Sequence, residues 1–241
     1  MDRLVYLSMG AAKATLQRQE VLAHNLANVS TNGFRAEMAA FRAVPVRGDG
    51  ASTRVYALES TVGYDPQQGP VQTTGRSLDV AMRGNAWLAV QGQDGTEAYT
   101  RAGSLEVNAE GLIVDQSGRQ VLGDGGPITV PANARVDIAA DGTVTATVGN
   151  TRPQNAGRLK LVTPEAPLQR GTDGLFRAAD GDLTADPTAR LQAGALEGSN
   201  VSAVETMVAM ISAARQFEHQ MKVLQSAEQK EQAAAKLLTG Q

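Results

Sequence analysis

Glycine and proline, which interrupt helices and mark turns, are almost confined to the middle of this 241-residue chain. All nine prolines lie between Pro45 and Pro187. Of the 25 glycines, the first 41 residues contain only Gly10 and Gly33, and the last 41 contain only Gly240. The two ends can therefore form long helices, whereas the middle must turn often.

Apolar residues at both ends recur at alternating steps of four and three, the spacing that predicts a coiled-coil seam. The first seam comprises Val5, Met9, Ala12, Leu16, Gln19, Ala23 and Leu26. The second begins with Met207, Met210, Ala214, Phe217, Met221 and Leu224 and is widened by Val204, Val208 and Ile211. The pattern leaves two interpretations open: the helices pack within the chain as an ordinary core, or they associate with other chains.

Local signals indicate where the two helices end. The run from Ser202 to Glu205 fits a capping box, so the last helix should begin there. The first helix should stop near Val29, and Gly33 is expected to serve as its C-terminal capping glycine.

Short runs that alternate apolar and polar residues predict strands in the middle of the chain. They are 104–107, 135–138, 143–148 and 158–161. Turn-forming pairs separate the runs: Asp94-Gly95, Glu110-Gly111, Ser117-Gly118, Asp141-Gly142, Asp173-Gly174 and Asp180-Gly181. A spacing of about 8–12 residues between strands is typical of an antiparallel sandwich or open barrel.

These patterns predict an α+β fold, with N- and C-terminal coiled-coil helices flanking a central all-β antiparallel domain that is sandwich-like or barrel-like. We expect a helix and motif turn over 1–35 and an extended strap or hairpin over 36–74. The central β domain should span 75–193, and the C-terminal motif and helix 194–241.

The composition excludes several classes of site. The absence of cysteine excludes disulfides, cysteine-based metal sites and thiol nucleophiles. A net charge of −3 and a pI of 5.5 give no electrostatic reason to expect nucleic acid as a partner. No apolar run approaches the ~20 residues that span a bilayer, and residues 1–6 lack the features of a secretory signal.

No residue constellation indicates catalysis. The two histidines, His24 and His219, lie on the helical ends without an evident set of partner ligands, so we interpret them as polar helix surface or interface. We therefore expect no catalytic, cofactor or metal site and no small-molecule substrate. A soluble β-domain enzyme acting on cell-wall glycan stays open as an alternative, because the 25 acidic residues offer many carboxylate pairs.

Two terminal motifs and the middle of the chain resemble the flagellar rod-and-hook family of axial proteins. The motifs are Asn25-Leu-Ala-Asn-Val-Ser-Thr-Asn-Gly-Phe34 and Gly194-Ala-Leu-Glu-Gly-Ser-Asn-Val201. The segments that resemble the family's shared β domain are Leu78-Asp-Val-Ala-Met-Arg-Gly84, Tyr99-Thr-Arg-Ala-Gly-Ser104 and Gly126-Pro-Ile-Thr-Val-Pro131. His24 departs from the family, whose members usually have asparagine before the first motif.

The resemblance implies a non-enzymatic structural subunit of the bacterial flagellar basal-body rod, which crosses the periplasm. Its terminal helices would polymerise into an inner coiled-coil layer and transmit motor torque. The Met1-Asp2-Arg3 opening favours the proximal rod, and the distal rod is the alternative. The implied partners are other copies, other rod proteins and, during export without a cleaved signal peptide, the flagellar type III apparatus.

We expect the assembly interface to consist of the helical seams and the two motif turns. Its residues are Val5, Met9, Ala12, Leu16, Ala23, Asn25, Leu26, Asn28, Gly33, Phe34, Ser199, Asn200, Val201, Met207, Met210, Ala214, Phe217, Met221 and Leu224.

Overall fold

The computed structural model describes residues 2–45 and 55–239. It divides into two compact units. The helical unit comprises Met1–Val29, Ala36–Asp65 and Val201–Gln241, and the β unit comprises Ser30–Arg35 and Pro66–Asn200. Both motif turns fall in the β unit, so the units run across the boundaries expected from the sequence.

The helical unit contains both long helices, α1 (Asp2–Ala27) and α2 (Ala203–Thr239). The two helices pack against each other, as the first of the two interpretations predicts. Small side chains occupy buried positions on both helices: Ser8, Ala12 and Thr15 on α1, and Thr206, Ala213 and Ala227 on α2. Small residues allow two helix backbones to approach closely. Neither helix, over its described residues, is long and apolar enough to cross a membrane.

The helix ends confirm one capping prediction and correct another. Ser202 caps α2, since its Oγ accepts a hydrogen bond from the Glu205 N–H at 3.4 Å. The end of α1 is capped by Asn28, whose side-chain amide donates to the His24 carbonyl at 2.9 Å. Gly33 was predicted to be the capping glycine, and that prediction is wrong because Gly33 lies in a later turn of the β unit.

Two antiparallel strands, β1 (Glu37–Pro45) and β2 (Val55–Tyr64), complete the helical unit. Glu37 pairs with Tyr64 at the open end of this hairpin, and the register shifts once between Met38 and Ala39. The expectation of a strap or hairpin over 36–74 thus covers a strand pair, and residues 46–54 lie outside the described residues.

The described β unit contains sixteen short strands, all paired antiparallel. They are β3 (Val71–Thr73), β4 (Val80–Met82), β5 (Trp87–Gln91), β6 (Glu97–Thr100), β7 (Leu105–Val107), β8 (Ile113–Asp115), β9 (Leu122–Gly123), β10 (Gly126–Pro127), β11 (Ala134–Ile138), β12 (Thr143–Val148), β13 (Gln154–Arg158), β14 (Leu161–Val162), β15 (Gln169–Arg170), β16 (Phe176–Arg177), β17 (Leu191–Ala193) and β18 (Ala195–Glu197).

Two sheets and four strand pairs make up this unit. The largest sheet has the order β14-β5-β6-β16-β15, and a second has the order β11-β12-β13. The strand pairs are β3–β18, β4–β17, β7–β8 and β9–β10. Because β17 and β18 return from the end of the unit to pair with β4 and β3, the C-terminal motif is built into the sheet structure at its beginning.

The sequence predicted the strands unevenly. Strand β12 has the predicted bounds of 143–148, and the glycines of all six turn pairs have positive φ. The predicted strand over 158–161 is wrong. The chain changes sheets there, because Leu159 donates to the Gly142 carbonyl and Lys160 to that of Leu122.

Aliphatic side chains from most of these strands form one core within the β unit. Val80, Leu88, Val90 and Leu105 are fully buried in it. The prediction of terminal helices flanking a central antiparallel β region is confirmed, and the coiled-coil character of the helices stays a prediction.

Candidate functional site

Large apolar side chains form an exposed stripe along the first turns of α2. Val204, Met207, Val208 and Ile211 are between 49% and 73% exposed. Their spacing of three, one and three residues places them on one face of the helix. We call these four residues the α2 stripe.

A second exposed stripe lies on α1. Met9, Leu16 and Ala23 are exposed and recur every seven residues, so they also share one face. We call them the α1 stripe. Clustered exposed apolar side chains mark interaction surfaces in proteins that otherwise bury such groups.

The remaining predicted helix residues have intermediate positions. Ala12 is buried and Met221 is exposed. Leu26, Met210, Ala214, Phe217 and Leu224 are half-buried. Val5 lies within α1, and its side chain is outside the described residues. Among the α2 residues whose burial is described, Thr206, Ala213 and Ala227 are buried, and the first two lie one residue away from the predicted Met207 and Ala214.

Asn25 ties the end of α1 to the beginning of β1. Its side-chain oxygen accepts from the Glu37 N–H at 2.8 Å, and its side-chain amide donates to the Glu37 carbonyl at 2.9 Å. The adjacent His24 pairs with the Glu37 carboxylate at 3.0 Å. Sequence reasoning missed this acidic partner of His24, because Glu37 belongs to a different element.

Gly33 lies in the β unit at a point where only glycine fits. Its N–H donates to the Glu197 carbonyl at 2.7 Å, and its φ is +69°. A Cβ on Gly33 would stand 2.2 Å from the backbone carbonyl carbon of Arg101. The N-terminal motif therefore requires glycine here for close backbone packing as well as for conformation.

Phe34 is buried under the guanidinium of Arg170. The guanidinium carbon lies 4.5 Å from the centre of the Phe34 ring and 5.7 Å from that of Phe176. The same guanidinium donates to the Arg35 carbonyl at 3.1 Å. Phe176 in turn packs on Trp87, with ring centres 4.7 Å apart. Arg170 thus holds Phe34 by stacking and its neighbour by a hydrogen bond.

Glu197 lies at the centre of a buried ionic cluster. Its Oε1 accepts from the Arg35 guanidinium at 2.7 Å, and its Oε2 accepts from Arg101 at 2.6 and 2.9 Å. The Gly69 N–H adds a contact of 3.2 Å to Oε1. All three charged side chains are at most 2% exposed. The cluster joins the N-terminal motif, the C-terminal motif and the β core.

The remaining motif residues differ in burial and in bonding. Asn200 donates its backbone N–H to the Phe34 carbonyl at 3.3 Å and its side-chain amide to the Gln67 carbonyl at 2.9 Å. Ser199 is buried, whereas Asn28 and Val201 are half-buried. Gly33, Phe34, Ser199 and Asn200 are thus built into the β unit.

Sequence reasoning missed the charged members of this site, although each lies in or beside a recognised motif. Arg35 directly follows the first motif, Glu197 lies within the second, and Arg101 lies within a β-domain segment. The available signal was a charged residue in or directly after a motif whose other residues are uncharged. Within the described residues, no group of three or more histidine or acidic side chains could hold a metal ion.

Three family models match this chain. They are "Flagella basal body rod protein" at residues 6–35, "Flagellar hook protein FlgE/F/G D1 domain" at 81–146 and "Flagellar basal body rod FlgEFG protein C-terminal" at 192–237. The chain is 48% identical to flagellar basal-body rod protein FlgF of Salmonella typhimurium over 99% of both chains. The chain belongs to the FlgF family of flagellar basal-body rod proteins.

Further relatives agree with this assignment. The Escherichia coli FlgF is also 48% identical, over 99% of both chains. A FlgG rod protein of Agrobacterium fabrum is 31% identical over 87% of this chain and 89% of the relative. The resemblance to the rod-and-hook family is therefore confirmed. The matched regions include the N-terminal helix and motif, the β unit around Arg101 and the C-terminal motif around Glu197.

Proposed function

We propose that this chain is a structural, non-enzymatic subunit of the flagellar basal-body rod that assembles through its terminal helices. The observation that carries the proposal is the pair of exposed apolar stripes on helices whose small side chains are already used within the chain. Membership of the FlgF family supplies the assembly in which such surfaces would be buried.

Exposed apolar side chains such as those of the two stripes are more stable when a neighbouring subunit buries them than when they face water. Burying a large aliphatic side chain contributes about 1.5–3 kcal/mol, so the α2 stripe alone offers several kcal/mol to a partner. The α1 and α2 stripes differ in sequence and lie on different helices. Contacts between unlike surfaces of successive subunits produce an open helical stack. The proposed partners are other copies of this chain and other rod proteins.

We assign the subunit to the proximal rod, where it would transmit motor torque through helix packing. Support comes from the sequence opening and from the FlgF proteins of Salmonella typhimurium and Escherichia coli, which are 48% identical, against 31% for the FlgG protein of Agrobacterium fabrum. The family resemblance further supports export through the flagellar type III apparatus. The distal rod is the second candidate position, and immunogold labelling along isolated basal bodies distinguishes the two.

The decisive experiment compares Val208→Asp with Gln216→Asp in the native bacterium. Val208 belongs to the α2 stripe, whereas Gln216 is exposed on another face of the same helix. Both substitutions add one negative charge, and both introduce aspartate, which has a low helix propensity. Hook–basal bodies are purified with detergent and salt washing, and the chain is quantified by mass spectrometry.

We expect Val208→Asp to be lost from basal bodies and to abolish swimming, while Gln216→Asp assembles normally. Circular dichroism of the purified variants checks that both fold equally. Normal incorporation of Val208→Asp would contradict assembly through the α2 stripe. Absence of the wild-type chain from intact basal bodies would contradict the rod assignment, and a peptidoglycan hydrolysis assay would then test the enzyme alternative.

A further inference from the structure

The two arginines of the buried ionic cluster differ in how well their guanidinium groups are bonded. Within the described residues, Arg35 forms an ion pair with Glu197 and a hydrogen bond to the Gln67 carbonyl at 2.5 Å. Its Nε is buried and has no hydrogen-bond partner among the described residues. A buried guanidinium with an unbonded N–H costs free energy that one ion pair recovers only in part. Arg35 therefore stabilises the folded β unit less than a well-packed apolar side chain would at this position.

The segment that carries Arg35 has other anchors. Gly33 donates to the Glu197 backbone carbonyl, Phe34 stacks under Arg170, and the Phe34 carbonyl accepts from Asn200. None of these contacts requires a charge at position 35. An apolar side chain of similar length, such as methionine, could occupy the buried position without leaving an unbonded nitrogen.

Arg35 makes docking of residues 30–35 depend on a carboxylate elsewhere in the β unit. Glu197 is the carboxylate that pairs with Arg35 in the described structure, and it lies on β18, near the end of the β unit. Without that carboxylate, residues 30–35 could enter the unit only by burying an uncompensated positive charge. Glu197, in contrast, keeps its pair with Arg101 when Arg35 is absent.

We propose that Arg35 makes docking of the N-terminal segment 30–35 conditional on β18 being in place with its Glu197 side chain. The two motifs thereby become ordered together in the β unit. A chain whose C-terminal motif has not yet paired with β3 keeps segment 30–35 undocked. This coupling is a property of the fold and does not depend on the proposed rod function.

Hydrogen exchange of the full chain tests the coupling through three variants: Glu197→Gln, Arg35→Met and the double variant. Exchange is followed in peptides covering 30–36 and, as an internal reference, in β5 and β6. We expect Glu197→Gln to accelerate exchange of 30–36 on the order of a hundredfold, because it strands the Arg35 charge. Arg35→Met should change exchange by less than about threefold, since Glu197 stays paired.

The double variant gives the sharpest result. Arg35→Met should restore protection of 30–36 in the Glu197→Gln background, because the unpaired charge that this segment carries is then gone. The Arg101 charge loses its carboxylate in both Glu197→Gln backgrounds, so it cancels in the comparison. Equal exchange in the two single variants, or a double variant as unprotected as Glu197→Gln, would overturn the proposal. Glu106→Gln is the matched control, since Glu106 is exposed and its contact with Arg76 is 3.8 Å long.

The proposal can also be tested if Glu197→Gln destabilises the whole β unit. If β5 and β6 also lose protection, the thermal midpoints of the four proteins are compared instead. The double variant must then unfold at a higher temperature than Glu197→Gln. A midpoint equal to or below that of Glu197→Gln would refute the conditional role of Arg35.

Discussion

Asn25 and Glu37 are joined by two hydrogen bonds, with the asparagine side chain pairing with both backbone groups of the glutamate. The amide therefore acts as an extra strand residue at the beginning of β1. Asn25 is buried, so these bonds are shielded from water. The geometry explains why this position in the motif needs an asparagine: aspartate would accept one bond and could not donate the other.

We predict that Asn25→Ala destabilises the helical unit by about 1–3 kcal/mol, because it leaves two backbone groups of Glu37 without their partner. Asn28→Ala, which removes a more exposed cap on His24, should cost about 1 kcal/mol or less. Urea unfolding followed by circular dichroism measures both. An Asn25→Ala variant no less stable than Asn28→Ala would show that the paired bonds contribute little.

Gly33→Ala should be among the most damaging single substitutions in the β unit. The added methyl would meet the Arg101 backbone at 2.2 Å, and a φ of +69° costs alanine about 1–2 kcal/mol in addition. Gly118→Ala is the matched control, because Gly118 has a φ of +77° and nothing within 4 Å of the added methyl. We expect thermal unfolding to show a much larger loss for Gly33→Ala, and similar losses would mean that the close packing is relieved by a small shift.

Arg170→Lys should destabilise the β unit by about 1 kcal/mol although it keeps the charge. Lysine lacks the planar fork that stacks between Phe34 and Phe176 while bonding the Arg35 carbonyl. Arg135→Lys provides the comparison, since Arg135 is 79% exposed. Differential scanning calorimetry should show a lower midpoint for Arg170→Lys alone. Equal midpoints would argue that positive charge, not planarity, holds Phe34.

The elements that could be predicted from sequence are those set by local rules. The helical ends followed from the scarcity of glycine and the absence of proline there, and the turn pairs followed from glycine's access to positive φ. The change of partner within 158–161 could not be predicted, because Leu159 bonds to Gly142, just before β12, whereas Lys160 bonds to Leu122 on β9, and only the three-dimensional arrangement reveals the switch. Alternation along one segment carries no information about its neighbours.

The candidate site shows the same division. The motif residues Gly33 and Phe34 were identified from the sequence, whereas their partners Arg170 and Glu197 were not. Each partner is more than 130 residues away in sequence, as for the bond between Arg170 and Arg35. Periodicity likewise predicted amphipathic helices without deciding which face packs inside the chain. Small residues of α2 such as Thr206 and Ala213 are buried, whereas Met207, which directly follows Thr206, is exposed.

Asp186 should make the β unit acid-sensitive. The Thr163 hydroxyl, followed by the hydroxyl and N–H of Thr188, lowers the pKa of its carboxyl to about 2. The unfolded chain has a pKa of about 3.9 at this residue, so the folded state is favoured above that pH. This contribution falls as the pH drops from about 4 to about 2 and the carboxylate is protonated.

Asp186→Asn therefore should flatten the dependence of stability on pH over that window. Midpoints of urea unfolding at about pH 5, 3 and 2 measure this dependence of stability on pH. Asp180→Asn is the control, because the Asp180 carboxyl is exposed. Parallel curves for wild type and Asp186→Asn would indicate that other carboxyls dominate acid unfolding.

Met221 and Leu224 separate assembly from folding of the helical unit. Met221 is 39% exposed, so Met221→Asp should leave the isolated chain folded and prevent its incorporation into basal bodies. Leu224 is half-buried, so Leu224→Asp should also loosen the contact between α1 and α2, by about 2 kcal/mol or more. Both variants should keep the β unit intact, because that unit has its own core.

Hydrogen exchange of the purified chains measures the loosening, and basal-body mass spectrometry measures incorporation. Faster exchange in α1 and α2 for Leu224→Asp alone, with neither variant assembled, is the expected outcome. Normal swimming of the Met221→Asp strain would contradict a role for this part of α2 in assembly. Loss of β5 and β6 protection in either variant would contradict the independence of the β unit, since neither residue belongs to its core.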